Sequence, residues 1–398
     1  MNRFASLLLL AVFTASSFPS ATQAQENEAT EKKAKILVDD DKVQCPNAAF
    51  TSIQAAVSAA HSGDTIRVCP GTYDEQVVIS MPLSIEGDNG AVVIPSNVKA
   101  NGTDIPGGIP IAAVLLVTNT RDVEIEGLII DGSNNGITEC GPRLEGITFQ
   151  NSTGLIEHNA VRHIRLSPSL PGCQSGDAII VETASGLSSN VQIRNNSVWD
   201  YQKNGITANE TGTQSRIEGN VVTGIGPTTG AAQNGIQIGF GAGGSIIGNT
   251  STSNIWSPCV SPKDCVTNAT GILIFESDDV LVEDNSLGSN QIGVFVGGNN
   301  STVISNNIFD SVVLIGVALV GDDNHARLNG ITHSDQAAVF IQGNGNRVRN
   351  NKITDAAIGV LKISGSSGSV ITDNQFFATP ITAQDPVPHA SIQVVPQR

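Results

Sequence analysis

Residues 293–309 read GVFVGGNNSTVISNNIF, residues 316–331 read GVALVGDDNHARLNGI and residues 338–353 read AVFIQGNGNRVRNNKI. Each begins with a small residue and an apolar triplet of alternating pattern. A polar turn follows, then a second short apolar stretch, an Asn and a third apolar pair. Residues 235–251 (GIQIGFGAGGSIIGNTS) and 271–287 (GILIFESDDVLVEDNSL) repeat the scheme. Alternation with a period of two marks strands, and a strand set recurring at fixed spacing marks a solenoid. Aligned this way, the recurring Asn residues are Asn159, Asn196, Asn220, Asn249, Asn285, Asn307, Asn329, Asn351 and Asn374, the last four intervals being 22, 22, 22 and 23 residues. Three short strands in each period of about 22 residues predict an all-β, right-handed parallel β-helix solenoid. Its coils stack at ~4.8 Å. The inward pairs are read as Ile236 and Ile238, Ile272 and Ile274, Val294 and Val296, Val317 and Leu319, and Val339 and Ile341. The recurring Asn is expected to take the left-handed bend at one corner and to hydrogen-bond along the stack.

This repeat resembles that of the pectate-lyase-like superfamily, over about residues 36–380. The resemblance implies the fold. It does not choose an activity, because the superfamily hosts lyases, hydrolases, esterases, epimerases and non-catalytic proteins. Residues 70–79, PGTYDEQVVI, are similar to the Gly-x-Tyr-x-Glu signature of pectin methylesterases. The later esterase motifs, resembling Gln-Asp-Thr-Leu, Asp-Phe-Ile-Phe-Gly and Leu-Gly-Arg-Pro-Trp, do not occur. The stretch is therefore read as the first rung: Gly71 makes a turn, Val77–Ile79 begin a strand, Tyr73 packs on a cap, and Glu75 is a turn acceptor or exposed. Of the polygalacturonase elements Asn-Thr-Asp, Asp-Asp and Gly-His-Gly, only paired aspartates recur, in SDDV (residues 277–280) and GDDN (residues 321–324). They are expected to form turns, with at most a weak calcium role.

The ends read differently from the repeat. Residues 1–24 have the form of a secretory signal peptide, with Arg3, an apolar run over residues 7–13 and Thr22-Gln23-Ala24 before the cleavage point. Residues 25–35 are polar and charged, as in a disordered linker. Residues 50–60, FTSIQAAVSAA, place Ile53, Ala56, Val57 and Ala60 on one face and predict a capping helix that ends at Gly63. The tail, residues 381–398, carries three prolines and is expected to fold back along the outside or to end in disorder. No later run is long and apolar enough to span a bilayer. The formal charge of −16 becomes −17 when Arg3 is lost, which disfavours nucleic acid as a partner and also simple electrostatic attraction to polyanions, pectate included. The expected location is secreted or periplasmic, and the expected state monomeric. The six cysteines, in an exported chain, are read as disulfides, and of the 15 possible pairings the preferred one is 45–69, 140–173 and 259–265 (Cys45, Cys69, Cys140, Cys173, Cys259, Cys265).

Insertions break the repeat at residues 131–145, 165–177 and 255–270, each before the first strand of its coil. In a solenoid such insertions gather on one edge. In the superfamily the outward face of the first sheet carries a polysaccharide groove. Alternation places two outward columns there: Thr148, Ile180, Thr207, Gln237, Leu273, Phe295, Ala318, Phe340 and Leu361 in one, Gln150, Glu182, Asn209, Gly239, Phe275, Gly297, Val320 and Gln342 in the other. The early coils are polar. The later ones present Phe275, Phe295 and Phe340, a patch expected to be covered by the tail or the third insertion rather than left open.

Polyuronate lyases require a cation, calcium being the candidate, and a Lys or Arg base. The catalytic candidates are Glu182, Asp177, Lys203, Arg143 and Arg165, with Arg162, Glu145, Asp200 and Glu210 nearby in sequence. His158, His163, His325 and His333 are read as surface or turn residues. Two functions follow as expectations. One is a polysaccharide-binding or polysaccharide-processing protein, a lyase, epimerase or hydrolase if an enzyme. The other is a non-catalytic β-helix that binds a glycan or protein, as the copper-accessory β-helix proteins of the periplasm work without acting on sugar.

Overall fold

The structure, a computed structural model, describes residues 35–105, 107–257, 267–311, 314–387 and 394–397. Within these residues the chain winds into three sheets of 13, 13 and 12 strands, all parallel except the short Gly102–Thr103 strand of the first. Each coil contributes one strand to the first sheet, one to the second and one to the third. The first sheet runs from Val77–Ile79 to Ile381–Val387, the second from Lys35–Val38 to Val370–Thr372, and the third from Gly71–Tyr73 to Gln375–Phe377. Apart from Gly102–Thr103, neighbouring strands belong to successive coils, as in Ile236↔Ile272 and Ile272↔Val294. The expected inward pairs are all buried and join one core that runs the length of the stack. Burying each Ile or Val of that core is worth about 1.5–3 kcal/mol relative to leaving it exposed.

The Asn ladder is present, with two corrections. First, the rung after Asn285 is Asn306, not Asn307: Asn285 donates its main-chain N–H (2.9 Å) and side-chain amide (2.9 Å) to Asn306 Oδ1. Asn306 is buried, while Asn307 is exposed at the start of the next strand. Second, the ladder Asn residues are not the left-handed ones. The residue before each takes that bend: His158, Asn195, Gly219, Gly248, Asp284, Ser305, Leu328, Asn350 and Asp373 all have φ between 54° and 66°. The Asn side chain serves hydrogen bonding instead. Asn220 Oδ1 accepts from Asn196 N (2.9 Å) and Asn196 Nδ2 (3.0 Å), and Asn220 Nδ2 donates to Ile193 O (2.9 Å) and Asn249 Oδ1 (2.9 Å). Each rung thus satisfies the one above, which a buried amide requires.

At the N-terminal end, helix α1 (Ile53–Ala59) buries Ile53, Ala56 and Val57 against the first coils. Ser52 caps it from its own side chain. Glu75 caps it again: its carboxylate accepts from Ile53 N (2.7 Å), Gln54 N (2.9 Å) and Ser52 Oγ (2.7 Å). Those N–H groups have no partner within the helix, so a carboxylate there is stabilising. Tyr73 is buried and donates to Cys69 O at 2.8 Å. The esterase-like stretch is a cap. Cys45–Cys69 and Cys140–Cys173 are disulfides, as expected. The 259–265 pairing, the signal peptide at 1–24 and all of the 25–35 linker except Lys35 lie outside the described residues. Lys35 itself belongs to a strand, and Ile381–Val387 adds a further strand beyond residue 380. Among the described residues no helix is long and apolar enough to cross a membrane.

Candidate functional site

The outward face of the first sheet carries three columns, not two. The two columns read by alternation are present in register, as in Thr148↔Ile180↔Thr207↔Gln237↔Leu273↔Phe295 and Gln150↔Glu182↔Asn209↔Gly239. The third begins Glu145↔Asp177↔Asn204↔Asn234↔Thr270 and ends in Ile292, Ile315 and Ala337. Strict alternation would send these residues inward. A bend at the small residue after each turns them out, and the pairing skips accordingly from Glu145↔Asp177 to Ile147↔Ile179. Gly146 shows why the residue is small: a Cβ there would lie 2.3 Å from Ala178 O.

This geometry gathers Glu145, Asp177, Glu182, Lys203 and Arg143 at the early coils. Glu145 Oε2 accepts from Thr148 Oγ1 (2.6 Å), and Glu182 Oε1 accepts from Gln150 Nε2 (2.6 Å). Arg143 pairs with Asp104 at 2.7 Å. Asp177 and Lys203 are both 0% exposed. Lys203 Nζ donates to Ala232 O (2.9 Å) and Val395 O (2.7 Å). Among the described residues, neither carboxylate oxygen of Asp177 has a hydrogen-bond partner. Burial pushes the Asp177 carboxyl up to about 7, against the pull of Arg143 and Lys203. Burial likewise raises Glu182 to about 7, and raises Glu145, whose like-charged neighbour Glu182 adds to the effect. Burial lowers Lys203 to about 7, against the charge of Asp177. Acids and a base balanced near neutrality are the equipment of proton transfer.

Two segments cover this face. A hairpin pairs Gly102 with Ile111 and reaches over the early coils. Thr103 O accepts from Gln150 Nε2 (2.7 Å), Asp104 holds Arg143, and the Ile105 N–H donates to Glu182. Residues 394–397 lie over the middle coils. Val394 packs against an apolar cluster of Leu273, Phe295, Phe340 and their neighbours, with Phe275 at its edge. The tail thus does cover part of the phenylalanine patch.

Arg165 lies apart from the other candidates. Its Nε pairs with Asp200 Oδ1 at 3.0 Å, and Asp200 Oδ2 meets His163 Nδ1 at 2.5 Å. Nearby, Arg162 pairs with Asp131 (2.7 Å) and sits 5.9 Å from the centre of the Trp199 ring. These groups border an open cavity of about 460 Å3 between the first two insertions, lined by residues such as Asn134, Thr138, His163 and Arg165. Its charges are mutually paired. Beneath the hairpin the Asp177 carboxylate has no hydrogen-bond partner among the described residues, and such a buried carboxylate is the stronger mark of a site. Glu210 is buried at the end of its strand. The paired aspartates do form turns: Asp278 Oδ1 and Asp322 Oδ1 accept from Asn299 N and Asn344 N, each at 2.7 Å.

Residues 39–255, more than half of the chain, match the model of a family described as "Protein of unknown function (DUF1565)". Residues 247–386 match that of "Periplasmic copper-binding protein (NosD)". No curated protein matches the chain in sequence. Among solved structures, the GH136 lacto-N-biosidase of Eubacterium ramulus is similar with a TM-score of 0.58 at 12% identity, over 87% of this chain and 67% of that one. The A-module of a mannuronan C-5 epimerase from Azotobacter vinelandii is similar with a TM-score of 0.50 at 14% identity, over 86% of this chain and 94% of that one. At such identities the likeness shows the parallel β-helix alone. Within residues 247–386 no three His, Cys, Asp or Glu side chains converge among the described residues.

Proposed function

The chain belongs to the DUF1565 family, and we propose that this member is an extracytoplasmic β-helix protein that binds and processes a uronate-containing polysaccharide on the outward face of its first sheet. One observation carries the reading. Asp177 is wholly buried, neither of its oxygens has a hydrogen-bond partner among the described residues, and Lys203 is the buried cation of the adjacent coil. A structural role alone would leave that carboxyl partnered or replaced by an apolar residue. Two disulfides fit an oxidising compartment. The two similar structures described above belong to proteins named for carbohydrate chemistry.

The chemistry would be proton transfer. Lys203, lowered to about 7, is neutral often enough to take a proton α to a sugar carboxyl. Asp177 and Glu182, raised to about 7, are protonated often enough to return one, to the leaving glycosidic oxygen in a lyase or to the opposite face of the α carbon in an epimerase. Arg143 lies on the same face to meet the substrate carboxylate, although Asp104 holds it now. Glu145, Asp177 and Glu182 are not among the groups that converge at metal-ligand distances, so calcium enters as a variable of the test rather than as an assigned ligand.

The test is a panel of polyuronates with and without calcium, followed by the absorbance of unsaturated uronate and by NMR for epimerised product. Product is expected, and Asp177→Asn should reduce it. Absence of product from every polymer, with polymer binding retained, would establish the second reading. That reading is a non-catalytic glycan-binding β-helix, and the observation in its favour is the hairpin and tail lying across the site.

A further inference from the structure

The middle of the outward face is shaped around an extended main chain. Val395 O accepts from Lys203 Nζ (2.7 Å) and from Asn234 Nδ2 (3.1 Å). Gln397 O accepts from Asn209 Nδ2 (2.6 Å) and Gln237 Nε2 (2.8 Å), and Gln397 N donates to Gln237 Oε1 (3.0 Å). Val394 forms an isolated parallel bridge with Asn268. The receiving side chains Lys203, Asn209, Asn234 and Gln237 are all buried. These polar contacts all go to main-chain atoms of residues 394–397, so they recognise an extended backbone rather than particular side chains. Val394 adds side-chain recognition, packing against the apolar half of the face.

We propose that this row of amide and ammonium donors is a binding site for an extended, acceptor-rich polymer chain, and that residues 394–397 occupy it as an internal ligand that must leave before anything else binds. Departure would also free Lys203 of one of its two acceptors and expose it to substrate. The strap itself stands on these contacts. Only the identity of the molecule that replaces it rests on the polysaccharide reading above.

The decisive experiment uses a variant lacking residues 394–398 and a fluorescent peptide of residues 391–398, SIQVVPQR, followed by anisotropy. The peptide should bind the shortened chain saturably and bind the intact chain at least tenfold more weakly. Gln237→Leu in the shortened chain removes both of its bonds to residue 397 and should weaken the peptide about tenfold, one or two neutral hydrogen bonds' worth. A folded shortened chain that takes up no peptide overturns the proposal. Polygalacturonate is then added as competitor. Displacement of the peptide supports both readings, while saturable peptide binding without displacement keeps the strap and removes polyuronate as its replacement. Should the shortened chain not fold, hydrogen exchange on the intact protein decides. The Gln397 amide should exchange at least tenfold faster than that of Ile236, because a removable ligand opens without unfolding the coil. Equal protection of the two would overturn the proposal.

Discussion

Two buried polar arrays lie within a few strands of each other, and they are built on opposite terms. In the Asn ladder each rung is hydrogen-bonded to the next, from Asn159 to Asn374. On the outward face of the first sheet, Asp177 is just as buried and makes no hydrogen bond among the described residues. The ladder recurs in every regular coil. The charged cluster occurs once. Repetition with full satisfaction is what a stack of coils needs to hold together. A buried carboxylate without a hydrogen bond, as at Asp177, costs stability and persists only where it has another use.

Substitution should separate the two arrays. Once a turnover assay is in hand, Asp177→Asn and Glu182→Gln should each lower kcat by about 100-fold or more, the scale of a lost general acid or base. Neither should lower the urea midpoint. Unchanged kcat in both variants would remove the cluster from the chemistry. Asn220→Ala should do the reverse. It strips the acceptor from two buried donors of Asn196, and should cost about 2–4 kcal/mol in urea unfolding. A loss below about 1 kcal/mol would mean that water replaces the rung.

A smaller effect concerns pH. Asp177 and Glu182 hold protons up to about 7 in the fold, whereas unfolded carboxyls release theirs near 4. Stability from this source is present below the unfolded value and is lost as pH rises from about 4 to 7. Lys203 gives up its proton near 7 in the fold but only near ~10.4 when unfolded, so stability is lost as pH falls from about 10 to 7. The two limbs meet in a minimum near neutrality. Tm measured from pH 4 to 10, with the curve of the Asp177→Asn/Glu182→Gln double variant subtracted, should show the acid limb. A flat difference would refute the raised carboxyls. The smallest effect sharpens the ladder side of the comparison. Asn299 bridges Asp278 and Asp322 in a stacked turn like a rung of the ladder, but in water. Asn299→Ala should change stability by no more than about 0.5 kcal/mol. A loss near that of Asn220→Ala would mean that stacking itself, and not burial, stabilises the ladder.

Much of the fold was legible because a strand period of two and a coil period near 22 residues impose themselves on every repeat. Alternation placed Thr148, Glu182, Gln237 and Phe295 on the correct face and in the correct columns. It lost the column of Glu145 and Asp177 because one bend per coil breaks the alternation, and the signal for that bend is the run of small residues Gly146, Ala178, Gly205 and Gly235. The left-handed corner was assigned one residue late because that position is filled by residues as different as His158, Gly219 and Leu328 and so leaves no compositional trace. The adjacent pair Asn306-Asn307 misled the count by one. Within the site, Glu182, Asp177, Lys203 and Arg143 were grouped from their nearness to successive first strands. Arg165 was grouped with them for the same reason, but it sits before the chain turns into the first sheet and faces the other cleft. The covering hairpin could have been suspected from residues 94–109, which lengthen the same edge that the other insertions do.

The strap has a consequence in time. Val395 lies 192 residues beyond the lysine whose ammonium group it meets. At synthesis rates of roughly 5–20 residues per second, the coil that carries Lys203 is made on the order of 10–40 s before the residue that shuts it in. The residues that shut the groove are therefore made well after those that line it, and their contact can form only once both are present.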